Sequence, residues 1–404
     1  MRSVKQELIP VGEARRRVLG ALHPLPAETV ALGSALGRVL AEEVASGEDL
    51  PPFDSSAMDG FALGTADAEL EIVGESRAGA PADRALAPGE AIAISTGAMV
   101  PEGTVAVAPV ERVELIEGRV RVPGFEPGAN IRRAGEDVRA GQVVLAAGTQ
   151  IGPAEVAMLA SLGHAEVACG GVPSVAVVVT GDELVDLGVP LAPGQIRDSN
   201  APALAALATA AGARVTATSR VGDDFDATVA ALREALEAAD VVCISGGVSV
   251  GEHDHVKPAL RELGVEEVFW GVALKPGKPT WFGTLDGRLV FGLPGNPVSA
   301  MVTFQLFAHP ALRALAGADP ARARVRARLR APIRLSPKRE QAVRCRLLAG
   351  DDGWHADPTG RQGSHQISSM LGADALAIVP AGEGELAAGE LVHVEPLHRG
   401  TFQA

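Results

Sequence analysis

The sequence predicts a multidomain protein of mixed α/β and β class: a doubly wound α/β domain, a helical layer with an inserted β domain, and a C-terminal β-barrel. Three observations predict it. From residue 172 onward, apolar strands alternate with helix-length amphipathic runs, the pattern of a parallel sheet covered by helices on both faces. Between 70 and 150, short apolar runs alternate instead with Gly/Pro turns, as in a barrel or sandwich. The length, 404 residues, exceeds one ordinary core, so several domains are expected. The boundaries fall at 1–44 plus 141–171 for the helical layer, 45–140 for the insert, 172–318 for the α/β domain and 319–404 for the barrel.

Taken in order, VGEARRRVLGAL (11–22) and LGSALGRVLAEEV (32–44) carry apolar residues at helical spacing, with a short strand at ETVAL between them. PPFDSSAMDGFAL (51–63) is a loop entering a strand. Two polar spots interrupt the insert: STGAMVPEG (95–103), and NIRRAGEDV (130–138), which by itself reads as a solvated turn. GPAEVAMLASLGHAE (152–166) returns to a helical pattern, opened by Gly152-Pro153 and closed by Gly163. The doubly wound part then runs through strand 174–179, helix 201–212, strand 214–221, helix 226–239 and strands 240–245 and 288–293. The stretch 317–337 gives a linker and a strand with its arginines outward, and short strands follow to the end.

The chemistry concentrates between Asp240 and Met301. The strand DVVCIS breaks into GGVSVGEHD (246–254), where Gly246, Gly247 and Gly251 let backbone N–H groups approach a phosphate while Ser245 and Ser249 offer hydroxyls. KPGKP (275–279) is a stiff loop with two ammonium groups. PGNPVS (294–299) starts a helix: Pro294 precedes it, Asn296 suits the N-cap, Pro297 the first turn, and free N–H groups with the Ser299 hydroxyl would form a second anion site. Only five of the 36 basic residues are lysine, and three of these (Lys257, Lys275, Lys278) fall here, where a compact ammonium suits a tight anion site. Ligands of such a sheet sit beyond its strand ends. That rule gathers Glu183, Asp223 or Asp224, and Asp254 on one rim, where they could hold Mg²⁺ beside phosphate oxygens. His253 and His255 alone make a poor zinc site. RQGSHQISS (361–369) is a loop of donors able to reach the same cleft.

A net charge of −14 argues against a nucleic-acid partner. There is no apolar run of membrane-spanning length and no apolar leader after the N-terminus, so a soluble cytoplasmic protein is expected. Cys169, Cys243 and Cys345 are widely spaced and read as buried apolar residues.

SAMDG, STGAMVPEG, NIRRAGED, TGDEL, SGGVSVGEHD, KPGKP, GLPGNPVS and QGSH occur in the order and approximate spacing of the molybdopterin molybdenumtransferases, the MoeA family related to the E domain of gephyrin. The sequence resembles that family over essentially its full length. The resemblance implies a homodimer joined through the helical layer. It also implies that adenylylated molybdopterin and molybdate are converted to molybdenum cofactor and AMP with Mg²⁺ or Zn²⁺ assisting, and that a molybdopterin adenylyltransferase is a possible partner. Carried over, it assigns Asp59, Thr96 and Asp137 to the cleft of the opposite subunit and Glu183 and Asp254 to the cleft acids. Lys275, Lys278, Ser299, Arg344 and Ser364 become the oxyanion pocket, with Arg339 or Arg346 as alternatives to Arg344. The α/β domain alone also resembles molybdopterin adenylyltransferases, and scaffolding in the manner of gephyrin is a further alternative.

Overall fold

The computed structural model describes residues 7–66, 69–248, 254–321 and 324–397. Ser249, Gly251 and His253 lie outside them. The chain divides into two compact units. One comprises Met1–Thr29, Gly37–Ala41 and Ala168–Ala404, the other Val30–Leu36 and Glu42–Val167.

The first unit is built on a six-stranded sheet with strand order Arg214–Val221, Ser174–Thr180, Val241–Ser245, Arg288–Leu293, Trp281–Leu285 and Glu266–Trp270. The first four strands are mutually parallel, and the last two are added by antiparallel pairings, so that only Trp281–Leu285 runs against the rest. Alternation along each strand sorts its side chains. Val175, Val177, Val179, Cys243 and Phe291 face a core shared with the helices Val11–Gly20, Asn200–Ala210 and Pro297–Thr303. Ala176, Val178, Val242, Ile244 and Val290 face Val229, Leu232, Leu236 and Leu260 of the helices on the other side. The chain crosses from Ser174–Thr180 outward to Arg214–Val221 and then back past it to Val241–Ser245. The switch point thus lies where TGDEL and SGG leave the sheet.

In the same unit, strands Val325–Leu329, Glu340–Gly350, Gly353–Pro358, Ala375–Val379 and Leu391–Pro396 close a five-stranded barrel, because Glu340–Gly350 pairs with both Gly353–Pro358 and Ala375–Val379. The arginines of Val325–Leu329 point outward, as its alternation predicts. Glu395 of the last strand is fully buried. Its two oxygens accept from Arg15 Nη1 and Nη2 at 2.7 and 2.6 Å, which ties the barrel to the helix Val11–Gly20.

The second unit holds another six-stranded sheet, Ala106–Pro109, Gly60–Leu63, Glu90–Ile94, Glu69–Ser76, Arg119–Arg121 and Glu114–Ile116 in order, and the helix Pro153–Ser161 opened by Gly152. The helix expected over 32–44 does not form. Only a single 3₁₀ turn, Leu32–Ser34, is present, and Val44–Ala45 is already a strand. Gly33 and Gly37 account for this. Both weaken a helix, and Gly37 adopts φ +81°, which ends one. Leu36, on the supposed apolar stripe, is 64% exposed. The chain consequently places its two true helices of the expected layer in different units: Val11, Ala14 and Val18 join the first core, and Leu159 is buried in the second unit.

Cys169, Cys243 and Cys345 are free and buried, and burial pushes the thiols of Cys243 and Cys345 up to about 12.

Candidate functional site

Val179, Ser245 and Leu293 stand in register at the ends of three adjacent parallel strands. The loops that follow therefore leave the sheet at one level. Around them opens a cleft of about 780 Å³, whose lining includes Glu183, Asp223, Gly246, Gly247, Asp254 and Asn296. Pro294 and Pro297 also line it, as does His365 from the QGSH loop.

The glycine loop requires its glycines. Gly246 has φ +96°, and a Cβ there would stand 2.7 Å from the Thr180 carbonyl. Gly247 has φ +58°, and a Cβ would stand 2.5 Å from Val256 Cγ2. The Ser245 hydroxyl, by contrast, is not the free donor expected from the sequence. It is 2% exposed, donates to the Pro294 carbonyl at 3.2 Å and accepts from Asn200 Nδ2 at 2.8 Å.

Asp254 is half-buried, and among the described residues neither of its carboxylate oxygens has a partner within hydrogen-bonding geometry. The Lys257 charge, the backbone N–H groups of Val256 and Lys257 and the His255 charge all oppose the effect of burial. Burial prevails and raises the carboxyl to about 6. Glu183 and Asp223 are exposed on the same cleft. Asp223 donates its N–H to Asp182 Oδ1 at 2.9 Å, whereas Asp224 caps the helix Phe225–Ala238 by accepting from the Ala227 N–H. Of the two sequence alternatives, Asp223 belongs to the cleft and Asp224 to the helix. Among the described residues no three His, Cys, Asp or Glu side chains are close enough to form a complete metal site. A buried, unpartnered carboxylate beside exposed ones nevertheless fits a hard cation that takes its remaining oxygens from a phosphate ligand.

The second expected anion site changes character. Asn296 does occupy the N-cap of Pro297–Thr303, but its side chain makes no capping bond. The Val298 N–H is already engaged by the Ser364 carbonyl at 3.2 Å, and Ser299 is buried within the helix at 3% exposure. The QGSH loop thus closes the helix end through its backbone, so this terminus does not present the set of free donors foreseen.

A second cavity, of about 450 Å³, lies between KPGKP and the barrel, with Lys275, Pro276, Arg334, Gln341, Arg344 and Gln362 among its lining. Gly277 shapes the loop: it has φ +120°, and a Cβ would stand 2.5 Å from Thr303 Cγ2. Lys275 and Lys278 are exposed. Arg344 is 1% exposed, with Nε and Nη2 donating to Ser369 Oγ at 3.1 and 3.0 Å and Nη2 also to the Gly363 carbonyl at 3.2 Å. Burial lowers its pKa to about 10, and no carboxylate pairs with it among the described residues. Arg346 is exposed, so the guanidinium buried beside the QGSH loop is that of Arg344. The structure brings Lys275 and Arg344 to one cavity. Lys278, Ser299 and Ser364 line neither cavity.

In the second unit, Asp59 Oδ1 accepts the Thr96 N–H at 2.7 Å, joining two predicted site residues on an exposed surface. Met58 and Met99 beside them are 44% and 45% exposed. Asp137 is also exposed, its N–H bonded to the Leu50 carbonyl. Arg133, in the same turn, pairs with Asp54 at 2.6 Å, and the Ala134 N–H and Arg133 together hold the Asp54 carboxyl below its usual range.

Sequence reasoning missed Asp198, Ser199 and Asn200, which line the cleft from the start of a helix. The available signal was RDSN immediately before an apolar helical run. Asp198 is the residue whose Oδ1 accepts the first helical N–H groups.

Comparison with known proteins covers nearly all of the chain. Residues 9–163 match the model of the MoeA N-terminal region (domain I and II), 176–314 a probable molybdopterin binding domain, and 326–397 the MoeA C-terminal region (domain IV). The chain is 34% identical over 402 residues to a molybdopterin molybdenumtransferase of Staphylococcus aureus strain COL, covering 96% of each. It is similar to the crystal structure of a molybdopterin biosynthesis MoeA protein from Pyrococcus horikosii, with a TM-score of 0.82 and 32% identity over 97% of this chain and 99% of that one. A molybdenum cofactor biosynthesis protein from Pyrococcus furiosus, 24% identical with a TM-score of 0.62, shares the fold over 96% of this chain and 100% of its own.

Proposed function

This chain belongs to the MoeA family of molybdopterin molybdenumtransferases, and we propose on that premise that it inserts molybdate into adenylylated molybdopterin, releasing AMP. The observation that carries the reading is Arg344. A buried guanidinium without a carboxylate among the described residues, opening with Lys275 onto one cavity, is an electrostatic deficit that a doubly charged oxyanion would fill.

The other groups divide the work. Gly246 and Gly247 bring backbone to the phosphoanhydride, while Asn296 and Pro297 border the cleft on its other side. Glu183, Asp223 and Asp254 would hold Mg²⁺, with Zn²⁺ as the alternative. When bound, such an ion would supply positive charge to the phosphate oxygens of the substrate. Lys275 and Arg344 orient the oxyanion in the neighbouring cavity, and Lys278 adds charge to the same loop. The two dithiolene thiols replace two oxo groups of molybdate, which leave as water with the thiol protons and two protons from solvent. A water molecule attacks one phosphorus of the anhydride, breaking its bond to the bridging oxygen and releasing AMP. The substrate would come from a molybdopterin adenylyltransferase.

Incubating purified protein with adenylylated molybdopterin and Mg²⁺ should release AMP only when molybdate is added. Release without molybdate, or adenylylation of molybdopterin from ATP, would point to nucleotidyl transfer instead.

The reading includes a homodimer in which Asp59, Thr96 and Asp137 of one copy complete the cleft of the other. Exposed Met58 and Met99 beside the Asp59–Thr96 contact favour a covered face there. Asp59→Ala and Lys275→Ala proteins, each inactive alone, should regain about a quarter of wild-type activity after being mixed and reassembled, since half the dimers then carry one intact site. No recovery in verified mixed dimers would place each site within one chain.

A further inference from the structure

Asn200 stands at the start of the helix Asn200–Ala210, between the loops that line the cleft. Its backbone is fixed by Asp198, whose Oδ1 accepts the N–H groups of Asn200 and Ala201 at 2.9 and 3.0 Å. Its side chain uses both amide protons: Nδ2 donates to Ser245 Oγ at 2.8 Å and to the Gly295 carbonyl at 2.7 Å. Ser245 passes the connection on by donating to the Pro294 carbonyl. The amide orientation follows from this network, because a flipped amide would set its oxygen against the Gly295 carbonyl.

One side chain thereby joins three segments of the fold. Gly295 lies so near the glycine loop that a Cβ on it would stand 3.7 Å from Gly246 Cα. Beyond Gly295 the chain enters the helix Pro297–Thr303, whose Val298 N–H is held by the Ser364 carbonyl of the barrel's QGSH loop. A continuous path of hydrogen bonds and backbone runs from the glycine loop through Asn200 to the loop that also contacts Arg344. Asn200 Oδ1, meanwhile, is buried without a partner among the described residues, which costs stability. Its two donors, rather than a general gain in stability, account for an amide at this position.

We propose that Asn200 is a positioning residue that couples the glycine loop to the Pro294–Pro297 loop and, through Val298, to the QGSH loop, holding the two cavities in register. The catalytic consequence rests on the transferase reading above, and the coupling itself does not. Asn200→Asp keeps the shape and loses both donors, whereas Ser245→Ala removes the acceptor of one Asn200 proton and the relay to Pro294 but leaves the Asn200 bond to Gly295.

Hydrogen exchange reads the coupling directly at two amides, that of Gly246, bonded to the Leu293 carbonyl at 3.3 Å, and that of Val298. In Asn200→Asp both should exchange about tenfold faster or more, while amides of Ser174–Thr180 keep their wild-type rates. In the AMP-release assay the same variant should lose about 30-fold in kcat with less than about a threefold change in KM for adenylylated molybdopterin, and Ser245→Ala should fall between it and wild type. Unchanged exchange at Gly246 and Val298 would overturn the coupling, as would uniform acceleration across the sheet, which marks a purely structural role. Faster exchange with kcat preserved would overturn the positioning role. If wild-type protein releases no AMP with molybdate, the transferase reading fails by itself, and the exchange rates still decide the coupling.

Discussion

Asp254→Asn is expected to reduce molybdate-dependent AMP release roughly 10³-fold, because a cation at transferring phosphates supplies several kcal/mol and each 1.4 kcal/mol is tenfold. The same change should make the ligand-free protein melt at a higher temperature near pH 8. Burial raises the Asp254 carboxyl from 3.8 to about 6. The folded protein therefore retains this proton where the unfolded chain has released it. The group's contribution to stability is complete below pH 3.8 and is lost as pH rises through 6. Asparagine mimics the protonated form at every pH, so its advantage should appear at alkaline pH and vanish in acid. A bound cation reverses the preference, since it takes the carboxylate and releases the proton. Mg²⁺ should consequently raise the melting temperature of the wild type well above pH 6 and much less below it, in the window set by that carboxyl. Full activity in Asp254→Asn, or equal Mg²⁺ stabilisation of both proteins, would remove Asp254 from the cation site.

How far the site was legible in the sequence depends on the range of the interactions involved. The order of strands and helices from 174 to 293 was readable because alternation and helical spacing are local properties. Gly246 and Gly247 were readable because their backbone angles leave few other residues. The 32–44 segment departs from its apolar spacing because Gly33 and Gly37 weaken the helix that spacing implies. Long-range partners were invisible. Ser245 looked like a free hydroxyl until Asn200, 45 positions away, was found bonded to it. The helix at Pro297 looked like an open anion site until Ser364 supplied its carbonyl from the barrel. Arg344 and its neighbours Arg339 and Arg346 were equivalent on paper. Arg344 and Arg346 share the outward face of one strand, and the loop that carries Gly363 and Ser369 covers Arg344 while Arg346 stays exposed. Glu395 gave no hint that it would be fully buried against Arg15, since that pairing spans most of the chain.

Arg344→Met should lose about 10²–10³-fold in molybdate-dependent AMP release, the usual cost of deleting one preorganised donor to a developing or bound oxyanion. Its folding should suffer little by comparison. Breaking a buried ion pair is destabilising because it strands the partner charge. Here no carboxylate is stranded among the described residues, and the groups left behind are the Ser369 hydroxyl and the Gly363 carbonyl. Leaving such neutral groups without their donor costs about 1–3 kcal/mol, and removing a desolvated charge offsets part of that. Burial already holds the guanidinium down at about 10, a direct sign that its charge is carried at a cost in the free protein. Arg344→Lys should be nearly as inactive despite keeping a positive charge, because an ammonium cannot span Ser369 and Gly363 while facing the cavity shared with Lys275. Binding of AMP alone should be unchanged in both variants, since the cleft around Gly246 and Gly247 does not include Arg344. The decisive measurement is the dependence of AMP release on molybdate concentration. A rate restored at high molybdate assigns Arg344 to binding the oxyanion, and a low plateau assigns it to the step that follows. Wild-type kinetics in Arg344→Met would move the oxyanion out of this cavity altogether.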